Sequence, residues 1–395
     1  MTKLSSIADY VTDKISSNDI ALREYVTTDC ILQNKKGREI ATNLPPQSCC
    51  LTRYQRGDVL IANIRPYLKK VWFADIDGGA SSDVLVFRAK EGHSPSFLYA
   101  VLLQDSFFDY VMQGAKGSKM PRGDKEQILR YEMPTLSCSE ESIGTFFLNL
   151  DQKIRLNEQI NQNLEAMAKQ LYDYWFVQFD FPNEEGKPYK SSGGEMVWNE
   201  KLKRKIPNEW DNCKLKDFIN LFDSKRIPLS SKDREERKGN YPYYGATGIM
   251  DYVNEYIFDG DYILLAEDGS TSDSKGFPIV QYIWGKNWVN NHAHIILPKN
   301  EQYLMFTYQM LRSIPAKQIE TGSIQKKISQ ENLCEYNMVL PNSILIEKYE
   351  SIISPLWEKR KLCIEEINAL IKQRDELLPL LMNGQASVNS DLSAH

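Results

Sequence analysis

Glu140-Glu141-Ser142-Ile143-Gly144-Thr145-Phe146-Phe147-Leu148-Asn149-Leu150 opens a stretch, running on to Trp175, whose spacing decides the fold. Within it Ile143, Phe147, Leu150, Ile154, Asn157, Asn161, Leu164, Ala168, Leu171 and Trp175 follow alternating steps of four and three. That is the seam of a coiled-coil helix held in one register for about five heptads. Tyr349, Ile353, Leu356, Arg360, Cys363, Ile367, Leu370, Arg374, Leu377 and Leu381 repeat the pattern, each 206 positions after its counterpart. Two long helices so separated divide the chain into similar halves. A helix of about 35 residues spans roughly 50 Å, and antiparallel pairing would set one globular unit at each end of a rod. The polar seam residues Asn157, Asn161, Arg360 and Arg374 would be costly if buried alone, so they either fix register or meet polar partners.

The segments between the helices repeat as well. Arg56-Gly57-Asp58 turns into the aliphatic run Val59 to Ile64, and Asp259-Gly260-Asp261 turns into Tyr262 to Leu265. Val71-Trp72-Phe73 and Val84-Leu85-Val86-Phe87 are further short strands, and His292 to Leu297 answers Asp83 to Arg88. Phe97 to Tyr110 reads as one buried helix, answered by Tyr303 to Leu311. Gly117-Ser118-Lys119-Met120-Pro121-Arg122 is answered by Gly322-Ser323-Ile324-Gln325-Lys326-Lys327, and Met133-Pro134 by Leu340-Pro341. The period is too long for a solenoid and is that of a duplicated domain. The expected fold is α+β: two strand-rich globular domains and two long antiparallel coiled-coil helices in a pseudo-two-fold internal repeat. The boundaries are domain 1 over 1–138, helix 1 over 139–180, a Pro/Gly/Ser-rich linker over 181–199, domain 2 over 200–341, helix 2 over 342–382 and a loose polar tail over 383–395. Pro379 should end or kink the second helix near Leu378, because proline lacks the N–H and clashes with the preceding turn.

At 395 residues the chain exceeds what one hydrophobic core usually serves. A composition of 42% hydrophobic and 26% charged residues reads as a soluble globular protein. The net charge of −5 excludes a bulk polycation, so nucleic-acid binding would need local basic surface. Seven cysteines with no C-x-x-C pair suit a reducing cytoplasm, and no apolar run reaches the length of a membrane span.

Motifs that carry chemistry are few. No G-x-G-x-x-G, P-loop or G-x-S-x-G is present. Asn43-Leu44-Pro45-Pro46-Gln47 lacks the adjacent Asn-Pro and the stacking aromatic of an amino-methyltransferase motif, and reads as a proline turn. Asp151-Gln152-Lys153, Glu185-Gly186-Lys187 and Asp273-Ser274-Lys275 are acidic-x-Lys triplets of the kind that arise by chance at this charge content. His292 and His294 would place two rings on one strand face, yet no third ligand lies at a local spacing. They are expected to be a surface pair rather than a metal site, and catalytic residues, metal and cofactor are each expected to be none.

Basic loops carry more. Arg65, Lys69 and Lys70 follow the first strand, while Lys116, Lys119, Arg122 and Lys125 surround the turn at Gly117 and Ser118. Lys225, Arg226, Lys317, Lys326 and Lys327 take comparable places in the second half. Tyr241, Tyr243, Tyr244, Thr247, Ser270, Thr271, His292, Ser323 and Gln325 interleave with them. Lys and Arg suit phosphates, while Arg, Lys, Gln, Asn, Ser and Thr read base edges. Their recurrence at one place in both halves points to nucleic acid.

The chain resembles the specificity (S) subunit of type I restriction-modification enzymes. The resemblance rests on the duplicated order of domain then long helix and on Lys116 to Arg122. It rests also on Tyr241-Pro242-Tyr243-Tyr244-Gly245-Ala246-Thr247-Gly248, Leu265-Ala266-Glu267-Asp268-Gly269, Ile206-Pro207-Asn208-Glu209-Trp210 and Leu164 to Phe176. It implies a non-catalytic reader of double-stranded DNA, with one target-recognition domain per half-site and the helices as spacer. It further implies docking of two methyltransferase subunits, which would hold the S-adenosylmethionine, and of restriction-translocase subunits, all in the cytoplasm. A coiled-coil scaffold whose globular units bind protein is the alternative.

Overall fold

The computed structural model describes residues 2–133, 139–322 and 326–388. They form two units: unit 1 holds 1–159 and 363–395, unit 2 holds 160–362. Each long helix therefore contributes to both.

In unit 1, Ala8–Tyr10, Val84–Ala89, Val59–Ala62 and Val71–Phe73 form one antiparallel sheet in that order. All four residues of Val59–Ala62 are buried, because side chains alternate between two cores. Val59 and Ile61 join Leu98, Val101 and Phe107 on one side. Leu60 joins Tyr54, Trp72 and Val86 on the other. A second sheet orders Lys14–Ser16, Cys50–Tyr54, Gly78–Ala80 and Tyr25–Val26, the last pair parallel. Thr2–Lys3 pairs with Glu132–Met133.

The helix expected across Phe97 to Tyr110 is two: Pro95–Leu103 and Asp105–Gln113. Gln104 is extended at ψ 142°, and its side-chain amide donates to the Val101 carbonyl at 3.1 Å. The break re-aims the second helix so that Phe107, Phe108 and Val111 reach the core.

Unit 2 repeats the first sheet as Ile219–Leu221, Ala293–Pro298, Tyr262–Ala266 and Val280–Ile283. Ile263 and Leu265 again face one core and Leu264 another. Its second sheet orders Ile249–Val253, Lys238–Tyr244, Lys286–Val289 and Phe258–Asp259. The stretch 181–199, expected as a linker, is packed. Phe181 stacks on Tyr189 at 4.7 Å and on Trp210 at 5.0 Å, and Met196–Asn199 pairs with Arg204–Pro207. Its aromatic residues supply burial that the Pro, Gly and Ser count hides.

The long helices run Glu140–Tyr172, continued by a π-turn over Asp173–Val177, and Ser343–Met382. All twenty seam residues are buried or half-buried. Pro379 does not end the second helix; Leu378, Leu381 and Met382 beyond and beside it lie in the core of unit 1 and outweigh the lost hydrogen bond. Ala386 and Val388, expected in a loose tail, pack against the same core. Of the polar seam residues, Asn157 donates to Glu366 at 2.8 Å in unit 1 and Arg360 pairs with Glu165 at 3.3 Å in unit 2, whereas the buried Asn161 Oδ1 has no partner among the described residues. No described helix is long and apolar enough to cross a membrane, and the six described cysteines are free.

The two units solve one junction differently. Gly144 in unit 1 lies so close to the start of Pro95–Leu103 that a Cβ would sit 2.3 Å from Phe97 N. Ser94 Oγ accepts the Phe97 N–H at 3.4 Å. At the matched position of unit 2, Glu350 accepts the Phe306 N–H at 2.7 Å, near the start of helix Leu304–Ser313. Burial pushes the Glu350 carboxyl up to about 7, against the pull of the Phe306 N–H and Ser354. A folded value above the ordinary 4.5 means that the contribution is complete below that pH and lost as pH rises through 7, about 3 kcal/mol at most. Glu350→Gln keeps an acceptor and cannot ionise. In urea unfolding from pH 4.5 to 7.5, its stability relative to wild type should rise with pH; a constant difference would contradict this.

Candidate nucleic-acid interface

Beyond strand Val59–Ala62 the chain turns, and Asn63 N donates to the Asp83 carbonyl at 2.8 Å. Ile64 forms an antiparallel bridge with Arg122, which also bridges Lys116. The Gly-Ser loop is thus a short hairpin pinned to the strand end, with Gly117 at φ 99°, where a side chain would be strained. Arg122 pairs with Asp83 at 3.1 Å and Lys116 with Asp124 at 3.1 Å. Hydrogen bonds from Gln127 N, Lys116 and Glu126 N hold the Asp124 carboxyl below the usual range. Lys69 turns to Asp105 at 2.9 Å. Arg65, Ser118 and Lys119 are exposed, with side chains unpaired among the described residues.

Unit 2 builds the same path. After Tyr262–Ala266, Asp268 bridges Lys327, and Ile328 N donates to the Glu267 carbonyl at 2.8 Å. Strand pair Glu320–Thr321 with Lys327–Ile328 frames the second Gly-Ser loop. Lys327 meets Glu267 at 3.1 Å, Lys326 meets Glu320 at 3.1 Å, and His292 meets Asp268 at 2.7 Å. Ser270 is exposed beside them, but Thr271 is buried and donates to Glu320 at 2.7 Å. Ser323 and Gln325 lie outside the described residues.

His292 and His294 do not form the expected surface pair. His292 is exposed and precedes strand Ala293–Pro298, whereas His294 is fully buried. His294 Nδ1 lies 2.6 Å from Asp223 and Nε2 2.8 Å from the Ile328 carbonyl. The Ile328 carbonyl can only accept, so Nε2 donates to it and Nδ1 faces the Asp223 carboxylate. Asp223, Glu267 and His294 bring ligand-type atoms within 4.8 Å, a grouping that their separation in sequence concealed. Arg226 bonds Glu267 at 2.6 Å, and Ile295 N bonds Asp223 at 2.9 Å. With Nε2 donating to a carbonyl and the carboxylates engaged by Arg226, Ile295 N and Gln330, this is a closed hydrogen-bond network, not an open metal cradle. Burial pushes Asp223 up, but His294, Ile295 N and Gln330 outweigh it and hold the carboxyl below its ordinary value. Burial likewise pushes Glu267 up, but Arg226, His294 and Lys327 outweigh it and hold the carboxyl below its ordinary value.

The aromatic residues singled out in 241–248 lie in the second sheet, where the Tyr244 carbonyl accepts Asn290 N at 3.0 Å. Tyr243 is 1% exposed; its hydroxyl accepts Leu229 N at 3.0 Å and the Arg234 guanidinium covers its ring. It is a packing residue. Tyr244 is half-buried, and burial pushes its hydroxyl up to about 12. Thr247 is exposed on a hairpin tip fixed by Gln281, which donates to the Gly245 and Ala246 carbonyls at 3.0 Å. Sequence reasoning passed over Ile249, Met250 and Tyr252, exposed beyond that tip, and Tyr67, exposed between Arg65 and Lys69. Apolar residues flanking a turn of small residues were the available signal.

Residues 207–367 match the type I restriction modification DNA specificity domain. The type I restriction enzyme MjaIX specificity subunit of Methanocaldococcus jannaschii is 23% identical, over 95% of this chain and 86% of its own length. The type I restriction enzyme HindI specificity subunit of Haemophilus influenzae is 22% identical, over 91% of this chain and 94% of that protein. The fold is similar to the type I restriction-modification S subunit of M. genitalium, with a TM-score of 0.61 at 16% identity, covering 96% of this chain and 95% of that one.

Asp223→Asn removes the buried charge that His294, Ile295 N, Gln330 and Arg226 share, which should cost about 3–5 kcal/mol in urea unfolding at pH 7. Because the folded carboxyl titrates low, its contribution is present above the ordinary aspartate value of 3.8 and lost as pH falls through the folded one. The variant should lack that acid-side loss. Equal stability at pH 7 would contradict the network's role.

Proposed function

The chain belongs to the type I restriction-modification specificity-subunit family, and from that premise we propose that it reads a two-part DNA sequence, one unit per half-site. The reading domains are 1–138 and 200–341. The chain selects the site and leaves bond-making to partners. Two methyltransferase subunits, supplying S-adenosylmethionine, dock on the long helices, and restriction-translocase subunits join them. The helices set the length of the unread spacer. DNA as the target places the protein in the cytoplasm.

One observation carries the reading. In both units the loop after the central strand is bridged to a glycine-containing basic loop, at Ile64 with Arg122 and at Asp268 with Lys327. Such a pinned loop pair offers polar side chains on a rigid support, which base readout requires. Many of the cations are already paired with acids, so phosphate binding by this chain is local and modest, in keeping with its net charge of −5.

Exchanging residues 1–138 for the equivalent domain of another S subunit, in the complex with its methyltransferase, should change one half-site of the methylated sequence. The other half-site should stay. A change in both, or in neither, would defeat the one-domain, one-half-site reading.

A further inference from the structure

Six non-glycine residues among those described have left-handed backbone, and four meet at one turn of unit 1. Arg65 and Lys69, at φ 53° and 51°, flank Pro66–Leu68; Asn34 and Lys35, at φ 56° and 62°, lie against it. The two segments are joined by Asn34 N to the Leu68 carbonyl and Lys35 N to the Lys69 carbonyl, both at 2.9 Å. Residues bearing a Cβ avoid this conformation unless their surroundings impose it, and such strain concentrates at functional sites.

The supports are visible. Pro66 is buried and presets the turn. Arg65 N donates to the Pro121 carbonyl at 2.8 Å, which sets the turn beside the Gly-Ser loop. Lys35 and Lys69 both grip Asp105, at 2.8 and 2.9 Å, and Lys35 also reaches Asp375 at 3.4 Å. Burial raises the Asp105 carboxyl, but those two lysines outweigh it and hold it low. Lys69 is therefore a positioning residue, its charge already engaged.

What all this holds out is Tyr67. Its side chain is 49% exposed and has no hydrogen bond, ring contact or cation among the described residues. Arg65 beside it is also unpaired, as are Lys119 and Met120 on the adjoining loop. The corresponding loop of unit 2 reaches left-handed backbone only at glycines, Gly269 and Gly276, so this turn is particular to one unit.

We propose that Tyr67 is a specificity-determining residue for the half-site read by unit 1, its phenol contacting a base edge while Arg65 grips the adjoining DNA. The inference rests on the DNA-reading function above. A rigid aromatic with a hydroxyl gives up little conformational freedom on binding and can both donate and accept at a base edge. A preformed turn lowers that loss further.

The test uses the full chain in complex with its methyltransferase, selecting bound sequences from a DNA library randomised across both half-sites. Tyr67→Ala should weaken the preference at one or two base pairs of one half-site, on the order of ten- to a hundredfold. The other half-site and the thermal midpoint of the complex should not move. Tyr67→Phe separates the hydroxyl from the ring, and a partial loss at the same base pairs supports the assignment. Unchanged preference in Tyr67→Ala overturns it, and so does equal loss at both half-sites, which would mark an assembly residue. A wild-type complex that selects no two-part sequence would instead sink the function on which the proposal rests.

Discussion

The larger core of each unit is closed by parts of both long helices, and everything else depends on that closure. In unit 1, Ile143 and Phe147 from the start of the first helix share a cluster with Leu378, Leu381 and Met382 from the end of the second. In unit 2, Tyr349 and Ile353 from the start of the second share one with Ala168, Tyr172 and Trp175 from the end of the first. A buried Leu or Met contributes about 2 kcal/mol. Three from the far end of the chain therefore supply a large part of the 5–15 kcal/mol that typically holds a domain. Neither of these cores is complete without residues from both long helices.

That closure puts demands on the helix faces. At Gly144 the helix comes too close to Phe97 for any side chain, whereas Glu350 uses its carboxylate to satisfy a helix N-terminus. The same repeat therefore tolerates a glycine and a glutamate at one position, because two polar solutions satisfy the same buried N–H. On the reading side the rule is similar. Salt bridges and strained turns hold the loops, and the side chains left without partners among the described residues, Arg65, Tyr67 and Lys119 among them, are those we propose for DNA contact.

The architecture was legible because it is written in periodicity. Steps of four and three at a 206-residue repeat, and apolar runs between Gly-Asp turns, survive the divergence of the halves. Local geometry was less so. Nothing in Phe97 to Tyr110 announces that Gln104 breaks the helix, and Pro379 misleads because tertiary burial outweighs one lost hydrogen bond. For the site, sequence supplied the loops but not the sorting of their residues. Whether Lys69 or Arg65 is free depends on Asp105, 36 residues along the chain from Lys69, which pairs with Lys69 and not with Arg65. The burial of Tyr243 and His294 likewise depends on strands that only the fold brings together.

The most direct test of helix-end closure is hydrogen exchange, followed by mass spectrometry, on the chain carrying Leu378→Ala and Leu381→Ala. Each truncation should cost about 2–5 kcal/mol, spent in unit 1. Exchange should quicken in helix Pro95–Leu103 and leave helix Leu304–Ser313 of unit 2 as protected as in wild type. Unaltered protection of Pro95–Leu103 would contradict the claim that the end of the second helix closes the first domain.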